Sequence, residues 1–288
     1  MKLLLAIDGS APSRAALEEV AKRPWPAGTQ VEVLHVVEAA HLWTTSSTAE
    51  ELARRGGNLL TTAVAQLFAS GLEAHGEMLQ GDAKRVILDR AAHTHPDWIV
   101  VGSHGSAATR LVVGNVASAV LHYAPCSVEI VRTRAGAAPK ILLATDGSPA
   151  SDAAAHSIAE RPWPSGVQVR VLSVVELVLP PVVAMLEPPF LHSTQVEEIR
   201  AAAMKRAEDA VQTAVGIVAS ACPNVSQSIS VLLEGPRRII VDEAAQWGAD
   251  LIVLGSHGHR GMDRFLLGSV SQSVAMHAPC SVEVVRSK

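Results

Sequence analysis

The sequence repeats itself on the scale of a whole domain. Three segments occur twice, and the pairs are RPWPAGTQVEVLHVVE (23–38) with RPWPSGVQVRVLSVVE (161–176), DWIVVGSHG (97–105) with DLIVLGSHG (250–258), and APCSVEIVR (124–132) with APCSVEVVR (278–286). A chain of 288 residues is long enough for two cores. The repeat therefore predicts two tandem domains, which we place at residues 1–135 and 139–288.

The second copy is the longer one. The offset between copies grows from 138 residues at the first repeated segment to 154 at the last. Most of the added length falls at residues 177–195, where four of the chain's 16 prolines lie. Two interpretations stay open for this insertion: a long surface loop, or a flap that folds over a ligand.

Each copy alternates short apolar runs with helical stretches. In the second copy the runs predict strands near residues 140–145, 168–175, 225–233, 251–254 and 281–285. Continuous Val, Ile and Leu runs are typical of parallel strands covered on both faces. Ser148 followed by Pro149 fits a helix N-cap and first turn. With right-handed crossovers, this order predicts an α/β, Rossmann-like, doubly wound domain of five parallel strands in each copy, with strand order 3-2-1-4-5.

The last strand of each copy contains a glutamate inside an apolar run, Glu129 and Glu283. The simpler interpretation, which we adopt, is an edge strand with one solvated face. The alternative is that the two equivalent strands meet and join the domains into a pseudo-two-fold pair, like a covalent isologous dimer. Whether whole chains pair further into a homodimer stays open.

Composition limits the classes of partner. The net charge is −4, and five Trp, three Phe and one Tyr leave little material for stacking on bases, so we expect no nucleic-acid partner. Three cysteines form no CxxC pair, which favours a reducing compartment. No apolar run approaches the roughly eighteen residues of a membrane span. We therefore expect a cytoplasmic protein with no membrane partner.

A glycine-spaced loop is the strongest candidate site. In an open parallel sheet, ligands bind beyond the carboxyl ends of the strands where the strand order reverses. Asp146 follows the first strand of the second copy, and Gly255 and Gly258 follow the fourth. After nine intervening residues, Gly268 and Ser269 open a helix whose free amides would attract anions. The spacing predicts a phosphate-binding loop; the alternative is that the glycines serve only the turn.

The spacing G-x2-G-x9-G-[ST], with an aspartate after the first strand and APCSVEVV after the helix, resembles the universal stress protein family in its tandem form. The resemblance implies an adenine nucleotide alpha hydrolase-like fold that binds ATP or another adenine nucleotide, with Mg²⁺ or Mn²⁺ bridging the phosphates. The residues implied to contact the nucleotide are Asp146, Val174, Leu254, Gly255, His257, Gly258, Gly268, Ser269, Val270 and Ser271. Among them, Asp146 would hold the ribose or adenine end and Val174 would contact adenine through its backbone. The others would line the phosphates or close over them with amides and hydroxyls.

The first copy departs from this pattern. Only eight residues separate its two loop glycines, Asn115 replaces the first helix serine, and Ala117 replaces the second. The residues that remain as weaker candidates are Asp8, Val36, Gly102, His104, Gly105, Gly114 and Asn115. Losing one hydrogen bond to a charged phosphate costs about 1.5–3 kcal/mol. We therefore expect a working second site and a weakened or empty first one.

Some further residues have simple structural interpretations. Trp25 and Trp163 lie in matching RPWP turns and are expected to be packing anchors. Cys126 and Cys280, before the last strands, are expected to be buried. Arg260 and Arg264 lie within the glycine loop, where they either reach a γ-phosphate or are simply solvated.

The absence of other motifs favours regulation over catalysis. The chain has no GK dipeptide of a Walker loop, no GxGxxG, no GxSxG and no HExxH. We therefore predict a nucleotide-binding regulatory protein with an unidentified protein partner. Two alternatives stay open. One is slow ATP hydrolysis or nucleotidyl transfer at residues 255–271, with His257 or Asp146 activating water; the other is a scaffold that binds no nucleotide.

Overall fold

A computed structural model describes residues 1–38, 46–104, 113–132, 138–176, 194–222, 224–232, 235–259 and 267–287. The elements of the first half are β1 (Lys2–Ala6), α1 (Ala11–Lys22), β2 (Gln30–Val37), α2 (Ser46–Ala69), β3 (Glu73–Gln80), α3 (Ala83–Thr94), β4 (Trp98–Gly102), α4 (Asn115–Tyr123) and β5 (Ser127–Val131). Those of the second half are β6 (Lys140–Ala144), α5 (Pro149–Ala159), β7 (Gln168–Glu176), α6 (Thr194–Ala219), β8 (Val225–Leu232), α7 (Pro236–Trp247), β9 (Leu251–Gly255), α8 (Ser269–His277) and β10 (Ser281–Val285). The prediction of alternating strands and helices is confirmed.

The ten strands in the described part of the chain belong to one sheet, in the order β3-β2-β1-β4-β5-β10-β9-β6-β7-β8. Within each half the strands are parallel and follow the predicted order 3-2-1-4-5. The two halves do not form separate sheets, because β5 and β10 pair antiparallel at the centre with Glu129 opposite Glu283. The edge-strand interpretation was wrong, and the alternative, a join between equivalent strands, is confirmed.

Two arginines explain why the facing glutamates tolerate burial. Glu129 is 1% exposed and Glu283 is fully buried. Arg23 donates to Glu129 at 2.6 and 2.8 Å and to Glu283 at 2.6 Å. Arg161 donates to both carboxylate oxygens of Glu283, at 2.6 and 2.5 Å. Since unpaired charges are very costly in a protein interior, both glutamates need these partners, and Arg23 supplies one to each half.

The two glutamates differ in their share of positive charge. Glu283 contacts both arginines, whereas Glu129 contacts Arg23, which it shares with Glu19. Burial raises the pKa of Glu129 to about 7, because the attraction of Arg23 does not offset desolvation together with repulsion from Glu283. Burial also disfavours ionised Glu283, but Arg161 and Arg23 hold its pKa below the ordinary value.

This asymmetry predicts how stability depends on pH. Between the ordinary carboxyl pKa of 4.5 and the folded value of about 7, Glu129 carries more protons in the folded state than in the unfolded state. The contribution of Glu129 to stability is therefore full at low pH and is lost as pH rises through 7. We expect the free energy of unfolding of the wild type, relative to Glu129→Gln, to fall between pH 5 and pH 8 in urea titrations. Parallel pH curves for the two proteins would contradict this assignment.

The helices cover both faces of the sheet, and each apolar core runs through both halves. Alternate residues of a strand point to opposite faces, so Leu3 and Leu5 of β1 pack on one side and Leu4 on the other. Helices α1, α2, α5 and α6 cover the first face, and α3, α4, α7 and α8 cover the second. Among these described helices, none combines the length and apolarity needed to cross a membrane.

An ion pair between the second strand and third helix of each half has opposite polarity in the two copies. In the first half, Glu32 on β2 accepts from Arg90 on α3 at 2.5 Å. At the equivalent positions of the second half, Arg170 on β7 donates to Glu243 on α7 at 2.5 Å, and its guanidinium lies 4.4 Å from the Trp247 ring centroid. If α3 packed on β7, or α7 on β2, like charges would therefore face each other.

The inverted pair can be tested by exchanging its charges. Arg170→Glu should lower the free energy of unfolding by about 2 kcal/mol, since it removes a charged hydrogen bond and faces Glu243 with a like charge. Adding Glu243→Arg should restore most of the loss, though not the contact with Trp247. Arg85→Glu at the exposed Arg85–Asp89 pair is the control and should change stability by less than about 0.5 kcal/mol. A double variant no more stable than Arg170→Glu alone would refute the pairing.

Candidate functional site

The carboxyl ends of β6 and β9 open into a cleft of about 1100 Å³ in the second half. The cleft lies where the strand order reverses, because β6 and β9 are neighbours whose following helices cover opposite faces. All ten second-copy residues singled out from the sequence line this cleft, namely Asp146, Val174, Leu254, Gly255, His257, Gly258, Gly268, Ser269, Val270 and Ser271. The fold thus brings the whole candidate set together.

Asp146 lies at the turn between β6 and α5. Its Oδ1 accepts from the backbone N–H of Ser148 at 3.0 Å, and Ser148 is the N-cap of α5 with Pro149 in the first turn, as predicted. The carboxylate is exposed, and its other oxygen lies against Gly258: a Cβ added there would be 2.4 Å from Asp146 Oδ2. Asp146 is therefore fixed by the helix start and packs on the glycine loop while remaining open to the cleft.

The motif glycines are required by close contacts inside the protein. A Cβ on Gly255 would approach the carbonyl carbon of Ala150 to 2.6 Å, and one on Gly268 would approach the carbonyl oxygen of Ser256 to 3.1 Å. Neither of these glycines, nor Gly258, has a left-handed φ. The glycines bring β9, α5 and α8 close enough to form the cleft wall, which is a packing role rather than a turn role.

Helix α8 starts in the cleft with no side-chain cap. Its N-cap is Gly268, and its first intrahelical bond is donated by Gln272 to Gly268 at 2.9 Å. The amides of the three residues before Gln272 therefore have no acceptor within the helix. Ser269 is exposed at this end, whereas Ser271 is buried and its hydroxyl donates to the carbonyl of Gly255 at 2.7 Å. The motif predicts that this hydroxyl closes over phosphates; in the structure it holds the helix to the strand.

A second helix start faces the same cleft and escaped the sequence reasoning. Helix α7 has Gly235 as its N-cap, with no side-chain cap, and Pro236 at its first position. Arg237 and Arg238 follow in the first turn, are exposed, and line the cleft; Arg238 also contacts Asp242 at 3.3 Å. The signal was present as GPRR after a strand, because β8 ends at the same edge of the sheet as β6 and β9.

Two histidines of the glycine loop are held by hydrogen bonds. His257 Nδ1 lies 2.9 Å from the hydroxyl of Ser256. His259, which the sequence reasoning did not consider, donates from Nε2 to the backbone carbonyl of Asp146 at 2.9 Å. The loop is thus tied to the turn after β6. Behind it, Val174 and Leu254 contribute to an apolar wall.

The equivalent cleft of the first half is smaller, about 440 Å³. Six of its seven candidates line it: Asp8, Val36, Gly102, His104, Gly114 and Asn115. The seventh, Gly105, lies outside the described residues. Ala117 takes the place of Ser271 and has no hydroxyl to tie α4 to the carbonyl of β4.

The first cleft also differs at the helix that corresponds to α7. The N-cap of α3 is Asp82, whose Oδ1 accepts from the N–H of Arg85 at 3.0 Å. Glu38 accepts from the N–H of Ala83 at 3.3 Å and lines the cleft. The protein's own carboxylates thus occupy the anion-binding end of this helix, whereas Gly235 leaves the end of α7 without a side-chain cap.

The remaining predictions have mixed outcomes. Trp25 and Trp163 donate from their indole N–H groups to the carbonyls of Val20 and Ile158, each at 2.8 Å, and pack on the core as expected. Cys280 is buried, but Cys126 is only half-buried, and burial raises the pKa of each thiol to about 12. Arg260, Arg264 and residues 177–193 lie outside the described residues. Within the described ranges, no group of three or more His, Cys, Asp and Glu side chains is arranged to hold a metal ion.

Comparison with known proteins agrees with the repeat. The model of the universal stress protein family matches the chain twice, over residues 1–132 and 138–286. A universal stress protein of Mycolicibacterium smegmatis is 29% identical over 303 residues, which cover 99% of this chain and 97% of that protein. One of Mycobacterium tuberculosis is 28% identical over 241 residues, covering 77% of this chain and 76% of that protein. The structure of a universal stress protein from Archaeoglobus fulgidus has the same fold, with a TM-score of 0.67 at 21% identity over 99% of this chain and 98% of that one.

The bond between α8 and β9 gives a direct test of the cleft's construction. Ser271→Ala should lower the free energy of unfolding by about 1–3 kcal/mol, because the buried carbonyl of Gly255 loses its donor. Ser269→Ala, two residues earlier on the same helix but exposed, should change it by less than about 0.5 kcal/mol. Equal losses in the two variants, measured by urea denaturation, would show that the hydroxyl of Ser271 has no special structural role.

Proposed function

The chain belongs to the universal stress protein family, whose model covers both halves, and on this premise we propose that its second half binds an adenine nucleotide. The ligand is ATP or another adenine nucleotide, accompanied by Mg²⁺ or Mn²⁺. The protein acts as a nucleotide-dependent regulator in a stress response, and its output depends on whether the cleft is occupied.

One observation carries the proposal: helices α7 and α8 both begin at the same cleft without a side-chain cap. Each helix N-terminus attracts an anion, with about 0.3–1 kcal/mol per favourable contact. Arg237 and Arg238 add positive charge on the α7 side. A polyphosphate that lies between the two helix starts would meet amides on one side and guanidinium groups on the other.

The opposite part of the cleft suits a nucleoside. Leu172, Val174 and Leu254 give an apolar surface for a purine ring. The exposed carboxylate of Asp146 is placed to accept hydrogen bonds from ribose hydroxyls, and its orientation is already fixed by Ser148. The cleft, at about 1100 Å³, has room for a whole nucleotide.

On the phosphate side, the residues that would hold the ligand are Ser269 and Val270 through their amides, and Ser269 through its hydroxyl. The hydroxyl of Ser271 acts indirectly, by holding α8 against β9. A divalent cation bound with the nucleotide would neutralise part of the phosphate charge.

The same reasoning gives the first cleft a lower affinity for nucleotide. Asp82 and Glu38 already bond to the amides at the start of α3, and like charges would repel a phosphate there. Ala117 removes the tie that Ser271 provides in the second half. We therefore propose one main nucleotide site per chain.

Calorimetric titration with ATP and Mg²⁺ tests the proposal. The wild type should bind one nucleotide per chain with high affinity. Ser269→Asp should weaken binding at least tenfold, because it adds a negative charge where the phosphates would lie, while an acidic residue at a helix start does not harm the fold. Ser220→Asp adds the same charge at an exposed position outside the cleft and should leave the affinity unchanged.

Three outcomes would contradict the proposal in different ways. Two sites of equal affinity would refute the asymmetry between the halves. No binding at all would favour a scaffold that uses neither cleft. Steady conversion of ATP to ADP by the wild type, abolished by His257→Ala with binding retained, would favour the slow hydrolase instead.

A further inference from the structure

Two equivalent arginines reach across the join between the halves. Arg132 directly follows β5, and Arg286 directly follows β10. The backbone N–H of Arg132 donates to the hydroxyl of Ser281, and that of Arg286 donates to the hydroxyl of Ser127, each at 3.1 Å. Each arginine is therefore anchored at the start of the other half's central strand.

The guanidinium groups end on helices of the opposite half. Arg132 donates from Nη2 to the carbonyl of Ala275 in α8, and from Nη1 to the carbonyl of Cys280 at 3.4 Å. Arg286 donates from Nη2 to the carbonyls of Leu121 and His122 in α4, both at 3.2 Å. These helix carbonyls belong to the last turns, which have no intrahelical donors. Each arginine thus caps the carboxyl end of one helix in the other half.

The capped helices are the ones whose opposite ends face the clefts. Helix α8 spans only Ser269–His277, and its first residues line the second cleft. At 1.5 Å per residue, its two ends are about 13 Å apart. Ser271 holds the first turn to β9, and Arg132 holds the last turn from the first half. The placement of the cleft-facing amides therefore depends on a cation that the second half does not contain.

We propose that Arg132 is a positioning residue for the nucleotide cleft of the second half: by capping α8 across the join, it fixes the helix start that receives the phosphates. This inference rests on the proposed function. In this role Arg132 involves the first half in binding, although the first half's own cleft is poorly suited to phosphate. The first half completes the binding site of the second through Arg132.

The pseudo-two-fold arrangement supplies a matched control. Arg286→Gln removes the same kind of cap from the same join, but it acts on α4 and the first cleft. Arg132→Gln should raise the Kd of the full-length protein for ATP with Mg²⁺ by fivefold or more, whereas Arg286→Gln should stay within twofold of wild type. Both variants should lose similar amounts of stability in urea, so a general weakening of the join would not separate them. Arg132→Lys, which keeps the charge, should restore part of the affinity.

Hydrogen exchange in the absence of nucleotide gives a second readout. In Arg132→Gln, the amides that start the α8 hydrogen-bond ladder, from Gln272 onward, should exchange faster than in Arg286→Gln. The reverse pattern is expected for α4. Wild-type binding with equal Kd values in the two glutamine variants, or equal exchange in α8, overturns this inference and leaves the proposed function standing. Absence of ATP binding by the wild type overturns the proposed function, and this inference with it.

Discussion

The antiparallel pairing of β5 with β10 is the interaction on which the molecule depends. It places Glu129 opposite Glu283 in the middle of a ten-stranded sheet, where neither has access to water. Such a position is tolerable only with counterions, and Arg23 and Arg161 provide them from the two copies of the same turn. Because Arg23 of the first half bonds to Glu129 and also to Glu283 of the second half, the buried charges of the two halves form one cluster. The charge cluster makes two repeated sequences into one structural unit.

Hydrogen bonds also connect this join to the two clefts. Arg132 and Arg286 directly follow the paired strands β5 and β10, and they bond to the last turns of α8 and α4. These helices begin at the two clefts, so a short path of hydrogen bonds links the join between the halves to each cleft. A short helix has few contacts of its own, and its placement is therefore sensitive to what holds its two ends. The two halves are thus connected by hydrogen bonds as well as by the polypeptide chain.

Away from the join between β5 and β10, the two copies have diverged. The inverted ion pairs, Glu32 with Arg90 and Arg170 with Glu243, keep each third helix matched to its own strand. At the clefts, Asp82 caps α3 where Gly235 leaves α7 open. The arginine caps across the join, by contrast, are alike in the two copies. The two clefts differ at the ends of helices, where a single side chain decides whether an anion is attracted or repelled.

The repeat, the strands, their order and the residues of the glycine motif could all be predicted from the sequence, because they follow from local patterns of hydrophobicity and spacing. The sequence did not determine the environment of Glu129 and Glu283: a glutamate in an apolar run has the same pattern on a wet edge and in a buried seam, and only pairing with a distant strand distinguishes them. Nor did it indicate that the hydroxyl of Ser271 donates to the carbonyl of Gly255, that Arg237 lines the second cleft, or that Arg132 caps α8. Those contacts join residues far apart in the chain, and they exist only once the crossovers bring three strand ends and two halves together.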